Sequence, residues 1–268
     1  FLCCIYLIFE ELNITHKFLS MLQNFESLVL IWLGIGFITF ITLLKIPAPY
    51  GKFSKTNWGP MIPSKFGWIV MEIISPLALL YFFLNGNIEK TPTNITFISL
   101  WTFHYFNRSV IYPIRQNNPA QMPLLIAVLA FLFNVMNGYI NGTYFGSIQE
   151  YSAEYMLNWN FIVGVCLFII GAYINIKSDN ILLSLRSKLG EYKIPEGFMF
   201  RYVSFPNYLG EILEWMAFAL MTWSLAGLSF MIWTMANLVP RAIKGHQWYH
   251  NKFESYPKNR KAIFPFII

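Results

Sequence analysis

Acidic, phenolic and guanidinium side chains recur inside stretches of this chain that are otherwise apolar, and their spacing is the first hint of chemistry. Glu72 sits in WIVMEIISP, with Trp68 one turn earlier on the same helical face. A carboxylate in a membrane-spanning helix costs roughly 2.5–3.5 kcal/mol on insertion scales, so it calls for a partner or a task. A hydrogen bond between helices is the plain structural alternative. The run FHYFNR places His104, Tyr105, Asn107 and Arg108 in or near the end of another apolar helix. Tyr105 and Arg108 are one turn apart, so a hydroxyl and a guanidinium can address different parts of one bound molecule. An aromatic and cationic interface belt would place the same residues there. Asn207, Glu211 and Glu214 form a polar stripe at helical spacing, and Asn175 with Asp179, at i and i+4, forms a second. Both stripes point toward a basic surface, although solvated helix ends with capping side chains would look alike.

The last two dozen or so residues concentrate bases and aromatic rings. Arg241, Lys244, Lys252, Lys258, Arg260 and Lys261 stand against the single acid Glu254, interleaved with Trp248, Tyr249, His250 and Tyr256. Lipid headgroups are the first polyanion such a tail suggests, and the interleaved rings also suit a nucleotide that carries phosphates and flat bases.

The elements that must position these residues are helices in a bilayer. A chain of 268 residues that is 56% hydrophobic and only 12% charged is too apolar for a soluble globule. Apolar windows run from Leu28 to Leu44, Phe66 to Leu84, Ile95 to Ile114, Met122 to Ile140 and Phe161 to Ile174. A sixth run, Tyr208 to Val239, is too long for one span at about 1.5 Å per residue, and Ser224, Ala226 and Gly227 offer a break. Read as a hairpin, it brings the expectation to an all-α membrane protein of seven transmembrane helices, with a cytoplasmic loop and tail closing over a cofactor. The connections holding Lys45, Lys52, Lys55 and Lys65, then Arg115, then Lys177 to Arg201, are basic, and the intervening ones are neutral or acidic. The positive-inside rule therefore places the N-terminus outside and the basic C-terminal tail in the cytoplasm. The expected organisation is one membrane domain over residues 22–268, preceded by an extension over 1–21 of uncertain status, with Lys177 to Pro206 as the longest polar connection. Either an endoplasmic reticulum or a bacterial inner membrane suits this topology, and a monomer is expected.

Several chemistries are disfavoured. Cys3, Cys4 and Cys166 make no CxxC pair, so no disulfide framework or zinc site is indicated. His246 and His250 have the spacing of a helical metal pair, but di-iron membrane enzymes need many histidines and this chain has four. No Walker loop is present, and Gly34-Ile35-Gly36 lies inside the first span, so any nucleotide is held by a non-Rossmann site. Nothing points to nucleic acid as a partner.

Taken as a set, the segments NWGPMIPSKFGWIVMEI, FHYFNRSVIYP, INIKSDNILLSLR, YKIPEGFMFRYVSFPNYLGEILEW and FESYPKNRKAIFPFII closely resemble the steroid 5α-reductase family, with matches from about Asn57 to the C-terminus. The resemblance implies a seven-helix enzyme that reduces a 4-ene-3-keto steroid with NADPH, the cofactor entering from the cytoplasm and the steroid lying between helices. Glu72 and Tyr105 match the catalytic pair at the steroid 3-keto oxygen, and Trp68 lines that pocket. Arg108, Asn175, Asp179, Arg186, Tyr192, Lys193, Asn207, Glu211, Arg241 and Tyr249 match cofactor-binding positions. Three residues depart from the pattern. Met71 stands where members have Gln, which bears on steroid selectivity. Lys193 replaces an Arg, exchanging a planar fork for a point charge. Gly245 occupies a position that is His in some relatives, and no contact is carried over to it.

The implied reaction delivers hydride to carbon 5 and pushes charge onto the 3-keto oxygen, so the site must stabilise an enolate. Tyr105 can donate to that oxygen, and Glu72 either donates as a neutral acid or, ionised, accepts from Tyr105. Rival readings are a related reductase of a polyprenol or an enoyl thioester, a membrane methyltransferase with a similar C-terminal pocket, and a small transporter using the acids as a proton relay.

Overall fold

The computed structural model describes residues 2–116, 120–185 and 192–268, with residues 2–19 as backbone only. Among the described residues, four helical stretches are both long and apolar enough to cross a membrane: Ser20–Lys45, Ser64–Leu84, Leu124–Ile148 and Trp159–Leu185. The first belongs to α1 (Leu2–Lys45), which runs unbroken through the sequence's expected extension. The second is α2 (Ser64–Leu84). The third is α5 (Leu124–Thr143) with a following π turn, and the fourth is α6 (Trp159–Leu185).

The polar run around Tyr105 does not form one regular helix. α3 (Pro92–Phe106) starts cleanly, with Pro92 in its first turn and the Thr91 side chain accepting from the Asn94 amide. It then passes into a π turn over Asn107–Ile111 before α4 (Tyr112–Arg115) completes the rod. That wider turn falls on Arg108, one of the candidate site residues.

The long C-terminal apolar run breaks where small residues suggested. α7 (Pro206–Thr222) ends on Trp223 in the left-handed region, φ 46°, and Ser224 caps α8 (Leu225–Lys252) by accepting from the Gly227 amide. α6 differs from expectation. It continues eleven residues beyond Ile174, so the polar connection to α7 begins after Leu185 and not at Lys177. The extra turns are held because Asn175, Ser178 and Asp179 are buried against α7, not solvated.

Close approach of backbones builds the bundle. α6 packs along α7, α2 along α5, and α1 along α8. A Cβ placed on Gly171 of α6 would lie 2.8 Å from both Glu214 N and Gly210 O of α7. One placed on Gly138 of α5 would lie 2.6 Å from the Ala78 Cβ of α2. Small residues at helix contacts are the usual device where solvent cannot drive association. Between these pairs sits an aromatic core in which Phe97, Trp101, Trp215, Phe218 and Phe230 are buried.

Two short connections set the helix entries. β1 (Met61–Pro63) pairs antiparallel with β2 (Gln121–Pro123) in the register Met61 with Pro123 and Pro63 with Gln121, and each strand leads directly into α2 or α5. At the C-terminus, Ser204 N donates to Lys261 O at 2.8 Å and Lys261 N to Tyr202 O at 2.9 Å. The tail is thereby stapled to the segment before α7, and Tyr256, Ala262 and Ile263 are buried beside Phe205 and Tyr249.

Candidate functional site

Three helices bring the first group of residues together. Tyr105 of α3 is buried, and Glu72 of α2 is half-buried. Pro76 lies inside α2 four residues after Glu72, so the Glu72 carbonyl loses its regular helical donor and the helix loosens there. Asn134 of α5, fully within the bundle at 3% exposure, meets the backbone of α2 one residue earlier. Its Nδ2 donates to the Met71 carbonyl at 2.6 Å, and its Oδ1 accepts from the Tyr105 hydroxyl at 3.2 Å. The same amide lies beside the Glu72 carboxyl. Behind Tyr105, the Trp101 indole donates to Ser75 Oγ at 3.1 Å and stacks on the Tyr105 ring at 5.6 Å. This geometry can offer two polar groups to one oxygen on an otherwise apolar ligand.

Arg108 joins this group to the next. Its guanidinium lies 4.9 Å from the Trp68 ring and 5.6 Å from Tyr112, with Nη1 3.7 Å from Asp179 Oδ2 and Nη2 3.7 Å from Glu211 Oε2. Asp179 Oδ1 accepts from Asn207 Nδ2 at 3.0 Å, and Asn175 Nδ2 donates to the Asn207 carbonyl at 2.9 Å. The two polar stripes of the sequence are therefore opposite faces of one α6–α7 seam and not solvated helix ends. Glu214, third in its stripe, turns instead to His104.

The remaining residues lie toward the tail. Arg241 stacks on the Tyr50 ring at 3.6 Å, donates to the Tyr208 hydroxyl at 3.0 Å, and reaches the Ala48 and Tyr50 carbonyls at 3.4 and 3.2 Å. Burial pushes the Tyr50 hydroxyl above its ordinary range, with Arg241 working in the opposite sense. Tyr249 is buried and stacks on Tyr256 at 5.1 Å. Tyr192 is exposed and meets the Trp248 ring at 5.0 Å, and Lys193 is also exposed. Arg186 lies outside the described residues. The space a side chain at Gly245 would need is taken by the Phe205 ring. Ser204 Oγ links His246 Nδ1 at 2.6 Å to the Tyr256 hydroxyl at 2.7 Å, and His250 Nε2 is 3.2 Å from His246 Nε2. Burial, with help from His250, Lys261 and Arg260, holds the His246 imidazole down at about 4. Among the described residues no group of three or more potential ligands is gathered for a metal ion.

Sequence reasoning passed over Asn134 and Lys52. Asn134, Asn137 and Asn141 recur at i, i+3 and i+7 in α5 and are all buried, a polar stripe hidden by the helix's overall hydrophobicity. Lys52 carried no motif, yet its Nζ lies 4.4 Å from the Phe205 and Tyr249 rings and 5.0 Å from Trp248.

Comparison with known proteins accounts for this arrangement. A family model described as 3-oxo-5-alpha-steroid 4-dehydrogenase matches residues 120–268. Steroid 5-alpha-reductase DET2 of Solanum lycopersicum is 44% identical over 248 residues, covering 91% of this chain and 96% of its own. The DET2 protein of Arabidopsis thaliana is 42% identical, with 85% and 91% covered. The 3-oxo-5-alpha-steroid 4-dehydrogenase 1 of Homo sapiens is 35% identical, with 87% and 92% covered. Each of these relatives is matched over most of its own length and most of this chain, and this membrane protein belongs to the steroid 5α-reductase family of oxidoreductases.

Proposed function

We propose that this chain reduces the 4,5 double bond of a 3-oxo-4-ene steroid, using NADPH. The observation that carries the reading is the grouping of Glu72, Tyr105 and Asn134 inside an apolar bundle, joined through Arg108 to the acceptor-rich seam of Asp179, Asn207 and Glu211. A steroid offers one polar atom at the end of a rigid apolar body, which is what such a pocket can recognise.

The seam suits a nicotinamide nucleotide. Asn207 Oδ1 and Glu211 Oε2 are buried acceptors that make no hydrogen bond among the described residues. Unsatisfied buried acceptors of this kind are costly unless a ligand's donors, such as ribose hydroxyls or a carboxamide, complete them. Arg108, Asn175 and Asp179 border the same space, while Lys193, Arg241, Tyr192 and Tyr249, with Arg186, would take the phosphates and the second base. NADPH, when bound, would supply the hydride for carbon 5, and the proton that carbon 4 takes up to give the saturated ketone would come from solvent or a neighbouring group.

Catalysis by the chain itself is electrostatic. As charge develops on the 3-keto oxygen, the Tyr105 hydroxyl donates to it, and the neighbouring Glu72 carboxyl shares the load. Trp68 and Trp101 wall the pocket with aromatic surface and exclude water, which strengthens those bonds. The catalytic assignment is thus Glu72 and Tyr105, with Trp68 as substrate-binding wall.

The topology that goes with this reading has seven membrane-crossing helices, the four apolar stretches being joined by α3–α4, α7 and α8. The N-terminus lies outside, the C-terminus in the cytoplasm, and the single domain over 22–268 works as a monomer in an endoplasmic reticulum or bacterial inner membrane. Incubating the purified chain with NADPH and a 3-oxo-4-ene steroid, with product identification, tests the function. A 5α-reduced ketone supports it. Reduction of a polyprenol or enoyl thioester alone would move the chain to a related reductase activity.

A further inference from the structure

The direction of each hydrogen bond around Asn134 follows from chemistry alone. The Met71 carbonyl can only accept, so the amide group facing it at 2.6 Å is the Nδ2 donor. That places Oδ1 on the other side, 3.2 Å from the Tyr105 hydroxyl. A carbonyl-type oxygen cannot donate, so Tyr105 must give its hydrogen to Asn134. The amide orientation is therefore imposed by the backbone of α2, and the amide in turn sets where the phenol's hydrogen points. The Glu72 carboxyl, next in sequence to Met71, lies beside the same amide. Asn134 is held at 3% exposure, where no water competes for these bonds.

We propose that Asn134 is a positioning residue for the reduction: its amide holds the Tyr105 hydroxyl beside the Glu72 carboxyl, and the phenol's hydrogen turns from Asn134 Oδ1 to the substrate's oxygen as charge develops there. The inference rests on the function proposed above and names a residue neither the motifs nor the comparisons assign. A ketone oxygen entering the site competes with Asn134 Oδ1 for the Tyr105 hydrogen. The competition becomes one-sided as negative charge grows on that oxygen, because a hydrogen bond to an oxyanion is about twice as strong as one to a neutral amide. The exchange favours the transition state over the bound ketone, which is the condition for raising kcat and not merely affinity. Asn134 also rejects ligands that carry only apolar groups there, since they would leave the set as it is and gain nothing from it.

The test uses the full chain in detergent or reconstituted membranes, with NADPH and a 3-oxo-4-ene steroid. Asn134→Leu keeps the side-chain volume and removes both bonds. Its kcat should fall at least tenfold while the KM for NADPH stays within twofold. On a Tyr105→Phe background the same change should cost less than twofold, because the hydroxyl it positions is gone. Wild-type turnover by Asn134→Leu, or an equal loss on both backgrounds, overturns the inference. If Asn134→Leu no longer binds NADPH, Asn134→Asp decides. It keeps the acceptor toward Tyr105 but sets a second carboxyl beside Glu72, and the pH profile of kcat must then move. An unchanged kcat and profile for Asn134→Asp overturns the inference. A wild-type chain that reduces no such steroid overturns the proposed function and this inference together, whereas an active wild type with an indifferent Asn134→Leu overturns the inference alone.

Discussion

His104 and Glu214 meet at 2.9 Å, Nδ1 to Oε2, across 110 residues of sequence, with side chains only 4% and 2% exposed. The bond ties α3 to α7 directly behind Tyr105, and Trp215 packs on the imidazole at 4.7 Å. Buried partners of this kind are expensive to separate and cheaper to replace together.

Glu214→Ala alone should therefore destabilise the protein by about 1–3 kcal/mol, since it strands a buried imidazole donor. The double replacement His104→Leu with Glu214→Met should lose much less than the sum of the single changes. Thermal unfolding in detergent, read beside NADPH binding, checks this. Additive losses would mean that the two groups share no bond of consequence.

Glu72→Gln should fold and bind NADPH normally yet lose steroid reduction by on the order of 10²-fold or more, the usual scale for a positioned acid–base group. Tyr105→Phe should behave alike. With both acting on one oxygen, as proposed, the double variant should fall well short of the product of the two losses. Multiplicative losses would assign them separate tasks.

Cofactor choice should depend on the basic residues of the loop and tail. The 2′-phosphate that distinguishes NADPH from NADH adds nearly two negative charges. Neutralising Arg186 or Arg241 should raise the KM for NADPH much more than for NADH, and high salt should shrink the difference. For Arg241 a loss of stability should accompany it, because its guanidinium also holds the Ala48 and Tyr50 carbonyls. Equal weakening of both cofactors would place these residues on the shared pyrophosphate.

The docking of the tail should be sensitive to acid. His246 is held at about 4 against an ordinary 6.5, so it is neutral in the folded chain and protonates more readily once the tail is released. A depressed imidazole contributes stability that is complete above about pH 6.5 and is lost as pH falls toward 4. Proteolysis of the Ser204–Tyr256 region should accelerate over that window, and His246→Gln should flatten the response. The same acceleration in His246→Gln would transfer the effect to other groups.

The sequence displayed the helices better than the bonds between them. Apolar length located α2, α5 and the break at Trp223, because burial in lipid depends on composition over many residues. Glu72, Tyr105 and Arg108 were visible because charge and phenol stand out in such runs. Asn134 was not, since a neutral amide barely lowers the hydrophobicity of AFLFNVMNGYI, and its partners lie 63 and 29 residues away. The outward reading of Glu214 failed for a related reason: helical spacing says which residues share a face, and only packing says what that face meets. The end of α6 was misplaced because Lys177 and Asp179 look like a solvated connection, whereas Asp179 is satisfied by Asn207.

The small ladder of Met61–Pro63 and Gln121–Pro123 acts as a depth gauge. Its register starts α2 and α5 at the same level, and Glu72 follows Pro63 by nine residues while Asn134 follows Pro123 by eleven. At the helical rise of 1.5 Å these positions lie about 14 and about 17 Å further along, close to half the thickness of a hydrocarbon core. In the function proposed above, the oxygen at the end of a rigid flat molecule is the one that meets Glu72 and Tyr105 at that level, and a lipid whose polar atom sits halfway along its body would offer them only hydrocarbon.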